Sequence, residues 1–263
     1  MLYFCIPTHD EAPTVGLLLW KIRRVLEDSA REYQLLVGDD ASSDATGEVL
    51  ETYAKSLPLT VLRSGRQLGY AATVERLLKE ALRRSDRHKR DAVILLPADF
   101  TFDPAELSEF LKRIDSGADL VVGEATLIGE EDPWRRRVRR WAPRLLGRRV
   151  RVPGIRDIVS GVAAFRLVTL RAAFRDRPER WLQSEGWAAN AELVSWAAAG
   201  ARQVESVPIT ERVERRQRDS RHAAWDRAKS LWAARRLLVA PPANPEAARK
   251  DRSPRAASTR DSE

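Results

Sequence analysis

Several large classes of protein are excluded by what this sequence lacks. Its 263 residues include one cysteine, Cys5, so an intramolecular disulfide cannot form and we expect a reducing compartment. The three histidines are scattered and do not have the spacing of zinc ligands. No apolar run approaches the ~20 residues that a membrane-spanning helix needs, and the first residues lack the pattern of a signal peptide. These absences predict a cytoplasmic protein.

Sequence motifs of three common enzyme classes are also missing. The first strand-like segment is followed by no G-x-G-x-x-G, which argues against a dinucleotide-binding fold of the dehydrogenase type. The chain contains neither a Walker A loop nor the Gly-x-Ser-x-Gly elbow of serine hydrolases. Cys5 lies inside an apolar segment, and we interpret it as a small core residue and not as a nucleophile.

The formal net charge of +8 is distributed unevenly along the chain. Between Trp134 and Arg156 there are ten arginines and no acidic residue. Trp134 and Trp141 would share one face of a helix, which predicts an amphipathic basic helix. Such a helix suits peripheral binding to an anionic surface, here the inner face of the membrane, although a solvated helix face is the alternative. No nucleic-acid-binding module accompanies the arginines, so we expect no nucleic acid partner.

Strand-like and helix-like segments alternate along the first half of the chain. Short apolar segments predict strands, and apolar residues spaced three and four apart predict helices. Strict alternation implies right-handed crossovers and a mostly parallel central sheet, hence an α/β fold. The predicted strands are 2–6, 34–38, 59–63, 92–96 and 119–123, and the predicted helices are 12–30, 44–56, 71–84 and 104–115.

The alternation ends after Gly123, and the C-terminal part is predicted to be largely helical. Trp20, Trp187 and Trp196 fall on apolar helix faces and are expected in the core. From residue 240 onward the chain is rich in proline and polar residues and has no aromatic residue, which is typical of a disordered tail. The expected segments are an apolar stretch at 160–167, a helix at 190–200, a strand at 202–209, a helix at 222–238, one domain over 1–239 and a tail over 240–263.

Acidic residues follow two of the predicted strands. Asp39 and Asp40 end the second strand, and Asp99 comes two residues after Pro97, beyond the fourth strand. The carboxyl ends of parallel strands form the usual ligand-binding edge of an open α/β sheet, so these carboxylates are candidate binding groups. An adjacent pair of acids suits the hydrogen-bond donors of a ribose and a base. The alternative interpretation of this segment is a helix N-cap, in which Ser42, Ser43 or Asp44 binds the free backbone amides; it does not explain the adjacent pair of acids.

Six segments, taken in order, resemble the inverting family-2 glycosyltransferases: IPTHDE, VGDDASSDAT, RQLGYAAT, LLPADFTFDP, DIVSGVAAFR and WAANAEL. The resemblance covers roughly residues 3–236, and it is to the dolichyl- or polyprenyl-phosphate mannose synthase branch in particular. DDASSDAT, against the usual DDGSSDGT, is the most specific segment. The resemblance implies the GT-A fold, a Rossmann-like three-layer sandwich. It also implies a GDP- or UDP-sugar donor, a Mg²⁺ or Mn²⁺ ion and a polyprenyl phosphate acceptor.

The resemblance also implies a role for each matching residue. Nucleotide-sugar binding is implied for Pro7, Glu11, Asp39, Asp40, Gln67, Gly69 and Asp99, and for Arg218, Ser220 and Arg221 in a loop that closes over the diphosphate. Catalytic roles are implied for Asp99, Arg140 and Glu192, with Asp99 as the metal ligand and Arg140 beside a phosphate. Ser160 and Gly161 match a turn that has the sequence Ser-Gly-Phe in the family.

Three positions depart from the family pattern. Pro97 replaces the first acid of Asp-x-Asp, Thr101 replaces a glutamine, and Asn190 replaces an acid. Mg²⁺ can be held by one carboxylate with phosphate and water, so the metal site is interpreted as weakened and not abolished. A phosphate acceptor is already anionic and needs no general base, which makes the loss at position 190 compatible with transfer to phosphate. Two alternatives stay open: a catalytically weakened nucleotide-sugar-binding protein, and a glycosyltransferase with a non-lipid acceptor.

Overall fold

Apolar strands and amphipathic helices alternate as the sequence predicts from residue 1 to residue 123. The computed structural model describes residues 1–27, 29, 31–129, 133–146, 150, 152–175, 179–215, 229 and 231–235. The strands are β1 (Leu2–Thr8), β2 (Tyr33–Asp39), β3 (Leu59–Arg63), β4 (Ala92–Leu95), β5 (Leu120–Ile128), β6 (Ala163–Arg166) and β7 (Val204–Arg212). The helices are α1 (Ala12–Leu26), α2 (Thr46–Ala54), α3 (Tyr70–Arg84), α4 (Leu107–Asp115), α5 (Pro133–Leu146), α6 (Leu167–Ala173) and α7 (Gly186–Gly200).

The seven strands form one sheet in the order β3-β2-β1-β4-β6-β5-β7. Neighbouring strands are parallel except at β6, which runs antiparallel to both β4 and β5. The sheet is therefore mostly parallel, as predicted. In the register of β1 and β2, Thr8 pairs with Asp39, so these two strands end level with each other at the same edge. The topology thus brings the polar segments after β1, β2 and β4 to one edge of the sheet.

Helices cover both faces of the sheet because the strands are apolar on both sides. Along β1, Leu2, Phe4 and Ile6 contribute to the core beneath α1, α2 and α4, whereas Tyr3 and Cys5 contribute to the core beneath α3, α5, α6 and α7. This arrangement confirms the predicted three-layer α/β sandwich. Cys5 is fully buried, and burial raises the pKa of its thiol, so the structure supports its interpretation as a core residue.

The second half of the chain differs from prediction in where its elements begin and end. Helix α7 begins at Gly186, four residues before the predicted helix, and β7 continues to Arg212, three residues beyond the predicted strand. Both extensions carry residues to the edge where β1 and β2 end. The predicted tail over 240–263 and most of the predicted helix over 222–238 lie outside the described residues.

One of the predicted core tryptophans is on the surface. Trp196 is buried, but Trp20 is 47% exposed and packs beneath the guanidinium of Arg24. The prediction for Trp20 was wrong because the buried face of α1 is filled by other apolar residues, Val15, Leu18, Leu19 and Ile22. Within the described part of the chain, none of the helices is both long and apolar enough to cross a bilayer.

Candidate active site

A cavity of about 460 Å³ opens at the carboxyl edge of the sheet, where β1, β2 and β4 end. Its walls come from distant parts of the chain, which the strand order brings together. Among the described residues, its charged walls carry five carboxylates and one guanidinium, from Glu11, Asp40, Asp99, Glu185, Glu211 and Arg139. Uncharged lining residues include Pro7, Gln67, Gly69, Tyr70, Pro97, Thr101, Val159, Gly161, Gly186, Trp187 and Asn190.

Asp40 shapes one wall of this cavity through the turn that precedes α3. Its Oδ1 accepts a hydrogen bond from the Leu68 N–H at 2.7 Å, and its Oδ2 accepts one from the Gly69 N–H at 2.9 Å. The turn needs glycine at position 69 because the φ of this residue is +96°, a conformation that L side chains rarely adopt. Asp40 therefore positions the Gln67–Gly69 backbone in addition to facing the cavity.

Asp39 lies behind Asp40 and is not among the described lining residues. It is 2% exposed, accepts a hydrogen bond from the Ser42 N–H at 3.0 Å and pairs with Arg63, whose Nε lies 3.2 Å from Oδ2. The adjacent acids thus differ in environment: one faces the cavity and the other is paired beneath the following loop. Contact of Asp39 with a nucleotide stays a prediction.

Asp99 faces the cavity from the turn that follows β4. Its Oδ1 accepts hydrogen bonds from Thr101 Oγ1 at 2.7 Å and from the Thr101 N–H at 3.2 Å. Phe100, the residue between them, has a φ of +57°, which is uncommon for a bulky residue and typical of tight turns at functional sites. Thr101 thus orients the Asp99 carboxylate.

The donor set for a metal ion at this turn is small. No group of three or more histidine, cysteine, aspartate or glutamate side chains is arranged to hold a metal in the described parts of the chain. Asp99 alone nevertheless fits Mg²⁺ or Mn²⁺, since Mg²⁺ sites commonly use one or two carboxylates and take their other ligands from phosphate and water. Because the cavity walls carry far more negative than positive charge, a bound diphosphate would need such a cation.

Arg139 of α5 is held on the opposite wall by two acidic side chains. Its Nη2 lies 2.7 Å from Asp157 Oδ2, and its Nη1 donates to Glu211 at the end of β7. All three side chains are nearly buried. Burial by itself lowers the pKa of the guanidinium, but the carboxylates of Glu211 and Asp157 outweigh burial and hold the pKa above its usual range. Arg139 is therefore a fixed cation in the cavity wall.

Tyr70 and Asn190 form a hydroxyl–amide pair, and Asn190 is the residue that replaces an acid of the family pattern. Tyr70 donates its hydroxyl hydrogen to Asn190 Oδ1 at 2.7 Å, and Asn190 Nδ2 donates to the Val159 carbonyl at 3.2 Å. Burial raises the pKa of the Tyr70 hydroxyl; the hydrogen bond to Asn190 lowers it, while the charges of Asp99 and Glu185 raise it further. Tyr70 thus stays protonated at neutral pH, and neither member of the pair is a general base.

Two glutamates near the start of α7 have different roles. Glu192 is buried and accepts hydrogen bonds from the N–H groups of Gln183 and Ser184, at 2.8 and 3.0 Å. These bonds fix the segment that leads into α7, where the exposed Glu185 accepts a hydrogen bond from the Ala71 N–H at 3.0 Å. Glu192 is not among the described cavity residues, so the structure favours positioning for it, and a catalytic role stays a prediction.

The structure brings many, but not all, of the predicted site residues together. Arg140 is exposed on α5 and lies outside the described lining, where its neighbour Arg139 takes its place. Ser160 is buried in a turn, with its Oγ accepting from the Val162 N–H at 3.2 Å. Arg218, Ser220 and Arg221 lie outside the described residues. The predicted residues that do line the cavity are Pro7, Glu11, Asp40, Gln67, Gly69, Asp99 and Gly161.

Comparison with known proteins decides the family. The family model "Glycosyl transferase family 2" matches residues 3–174. The chain belongs to glycosyl transferase family 2. It is similar to an undecaprenyl-phosphate mannosyltransferase of Micrococcus luteus, with 30% identity over 209 residues, 78% of this chain and 81% of that protein. It is also similar to a polyprenol monophosphomannose synthase of Mycolicibacterium smegmatis, with 28% identity over 210 residues, 78% of this chain and 75% of that protein.

Solved structures agree with this family on the fold. Glucosyl-3-phosphoglycerate synthase from Mycobacterium tuberculosis, in complex with Mn²⁺, UDP-glucose and phosphoglyceric acid, superposes with a TM-score of 0.63 at 15% identity. The match covers 91% of this chain and 80% of that one. The family-2 glycosyltransferase described here thus has the GT-A fold, and it is an enzyme of the class that uses a nucleotide-sugar donor.

Sequence reasoning missed several residues of this glycosyltransferase site. A sequence signal for Arg139 does exist. The apolar residues Val138, Ala142 and Leu146 are spaced four apart and predict the inner face of α5, and Arg139 lies next to that face. Trp187 was expected in the core but lines the cavity, because α7 begins earlier than predicted. No local signal in the sequence identifies Glu185 as a cavity residue.

Replacing Arg139 should destabilise the protein strongly. Arg139→Gln leaves the nearly buried carboxylates of Asp157 and Glu211 without their cation, which typically costs about 3–5 kcal/mol of unfolding free energy. Arg140→Gln, one residue away and exposed, is the matched control and should change it by less than about 0.5 kcal/mol. Urea denaturation measures both variants. Equal effects would show that the two carboxylates do not depend on Arg139.

Proposed function

We propose that this family-2 glycosyltransferase moves a sugar from a nucleotide-sugar donor to a polyprenyl phosphate, with inversion at the anomeric carbon. The observation that carries the proposal is the order of the cavity residues along the sheet edge. Pro7 lies near the end of β1, and Glu11 and Asp40 follow β1 and β2. Asp99 follows the central β4, and Glu211 lies near the end of β7 at the far side. We assign the nucleoside to the β1–β2 end, the diphosphate to Asp99, and the sugar and acceptor to the β6–β7 side.

The diphosphate end of the proposed site depends on a divalent cation. Asp99 would hold Mg²⁺ or Mn²⁺ together with the diphosphate oxygens, and the cation would stabilise the negative charge of the leaving nucleoside diphosphate. The chain itself orients the Asp99 carboxylate through Thr101 and holds the nucleotide wall through Asp40. These contacts supply position, which is a large part of the catalytic effect when two substrates must meet in line.

The acceptor end suits a phosphate better than a sugar hydroxyl. A hydroxyl nucleophile needs a general base, and the Tyr70–Asn190 pair does not supply one. A phosphomonoester is already anionic, and its oxygen can attack the anomeric carbon on the side opposite the diphosphate. Among the described lining residues, Arg139 carries the guanidinium that faces this part of the cavity, so we assign the acceptor phosphate to Arg139 and not to Arg140. The names of the mannosyltransferase relatives, which specify polyprenyl-type phosphates, support this assignment.

The second candidate function is nucleotide-sugar binding without turnover. Pro97 and Asn190, which replace two family acids, are the observations that favour it. The two functions differ in turnover: transfer needs the charge of the leaving nucleoside diphosphate to be stabilised during the reaction, whereas binding alone leaves the donor intact.

Metal dependence is tested at Asp99. Wild type should bind GDP-mannose or UDP-glucose more tightly with Mn²⁺ present, and Asp99→Asn should remove that gain because an amide oxygen carries no charge. Asp103→Asn, in the same loop but outside the described cavity lining, is the matched control and should keep the gain. Calorimetry with and without Mn²⁺ measures each case. Donor binding that ignores metal, together with no turnover, would favour the binding protein.

The nature of the acceptor is tested at Asn190. Asn190→Asp introduces a carboxylate next to the Tyr70 hydroxyl and so offers a general base to the site. If the acceptor is a phosphate, this variant should not increase transfer to polyprenyl phosphate, because no proton has to be removed and the added charge repels the acceptor. Radiolabelled transfer to polyprenyl phosphate and to soluble sugars measures the outcome. Faster transfer to a hydroxyl acceptor would overturn the polyprenyl phosphate assignment.

We also propose that α5 binds the anionic surface of a membrane. Its inner face packs on the core through Val138, Ala142 and Leu146, while Trp134 and Trp141 on the outside are more than half exposed. Guanidinium groups pack against both rings, Arg137 on Trp134 and Arg144 on Trp141. Exposed aromatic rings beside positive charge are typical of peripheral membrane binding. The inner face of α5 meanwhile presents Arg139 to the cavity, so the proposed surface lies beside the acceptor end.

Membrane binding is tested by neutralising two outer arginines. Each basic residue near an anionic membrane contributes about 1 kcal/mol, so Arg137→Gln with Arg144→Gln should weaken binding to phosphatidylglycerol vesicles about tenfold or more. The control, Arg23→Gln with Arg24→Gln, removes the same charge from exposed positions on α1 and should have a smaller effect. Vesicle sedimentation at low and high salt measures both. Equal losses would mean that net charge, and not α5, governs the interaction.

A further inference from the structure

We propose that Glu185 and Trp187 form the subsite that recognises the transferred sugar, and that this sugar carries no negative charge, because the Glu185 carboxylate would repel an anionic one. The inference deepens the proposed function and rests on it. The resemblance assigned no role to either residue, although Trp187 opens the segment WAANAEL, and the two reach the cavity because α7 begins at Gly186.

The position of the subsite follows from the strand order. A nucleotide bound across the ends of β2 and β1 directs its diphosphate toward Asp99, after β4, and its sugar toward the next strand, β6. Gly161, which precedes β6, lines this part of the cavity, and an added Cβ there would lie 3.8 Å from Asn190 Nδ2. Asn190 is one helical turn after Trp187 on α7. The beginning of α7 is thus where the sugar would lie.

Trp187 offers an apolar surface of the right kind. Its half-buried ring lines the cavity, and the guanidinium carbon of Arg139 lies 5.9 Å from the ring centroid. Because Arg139 is itself fixed by Asp157 and Glu211, the ring is held in a defined orientation. A hexose presents a face of C–H groups, which packs favourably against an aromatic ring because both surfaces are apolar.

Glu185 offers hydrogen-bond acceptors beside that ring. It precedes α7, yet its carboxylate does not cap its own helix and reaches instead to the Ala71 N–H of α3. The hydrogen bond from Ala71 occupies one acceptor position on Oε2. An ionised carboxylate has about four such positions, so the remaining ones can accept hydrogen bonds from sugar hydroxyls. Gly186 adds room, because among the described residues, apart from its chain neighbours and the backbone of its own helix, no atom lies within 4 Å of a Cβ built there. Neighbouring hydroxyls on one hexose can donate to such a carboxylate in pairs.

The experiment compares each nucleotide-sugar with its own nucleotide. Calorimetry with Mn²⁺ gives the affinities of GDP-mannose, GDP, UDP-glucose and UDP for wild type, Glu185→Gln and Trp187→Leu. The amide of Glu185→Gln can still accept from Ala71, which guards against loss of the fold. Glu48→Gln and Trp20→Leu, at exposed positions on α2 and α1, are matched controls. Glu185→Gln should weaken nucleotide-sugar binding about tenfold, the usual scale for a lost hydrogen bond to a charged group, and Trp187→Leu should weaken it by up to about tenfold through lost aromatic packing. Both variants should change nucleotide binding less than twofold.

The outcomes separate this inference from the proposed function. If wild type binds the nucleotides and the variants weaken sugar-bearing and sugar-free ligands equally, the proposed function stands and the sugar subsite is wrong. Unchanged nucleotide-sugar affinity in both variants overturns the subsite as well. If wild type binds none of the four ligands, the proposed function and the subsite fail together.

Discussion

The shape of the cavity depends on the two hydrogen bonds that the Asp40 carboxylate accepts from Leu68 and Gly69. They fasten the start of α3 to the end of β2, and Glu185 adds a third bond at Ala71 from the other side of the cavity. Backbone N–H groups at the start of a helix have no partner within the helix, so carboxylates satisfy them well. The same bonds join the nucleotide end of the site to the beginning of α7.

A second constraint is the buried cluster of Arg139, Asp157 and Glu211. It ties α5 to β7 and to the loop before β6, and it places one fixed guanidinium among described lining residues that are otherwise rich in carboxylates. That excess of negative charge among the described lining residues disfavours an anionic diphosphate, and a bound cation would offset the repulsion. We therefore interpret Asp99, a divalent metal ion and Arg139 as parts of one charge arrangement along the sheet edge.

Much of the fold and of the nucleotide end of the site could be predicted from the sequence. The alternation of apolar strands and helices up to residue 123 predicted a mostly parallel sheet. Asp40 and Asp99 follow strands and Gly69 precedes a helix, each in a recognisable local pattern. The acceptor end could not be predicted in the same way. Its residues lie in segments where helix and strand ends are set by long-range packing, as at Gly186 and Glu211.

What the sequence determined by itself was the family, the order of the elements and the presence of acidic residues at the ends of β2 and β4, because these depend on local periodicity and contiguous motifs. Only the tertiary structure decided that Arg139 and not Arg140 faces the cavity, since successive residues on a helix point about 100° apart and the packing of Val138 sets the rotation of α5. It also decided that Glu185, Trp187 and Asp99 line the same cavity. This arrangement depends on β6, which lies between β4 and β5 and runs antiparallel to both. No local sequence pattern specifies such a pairing, because β4 and β6 are far apart in the chain.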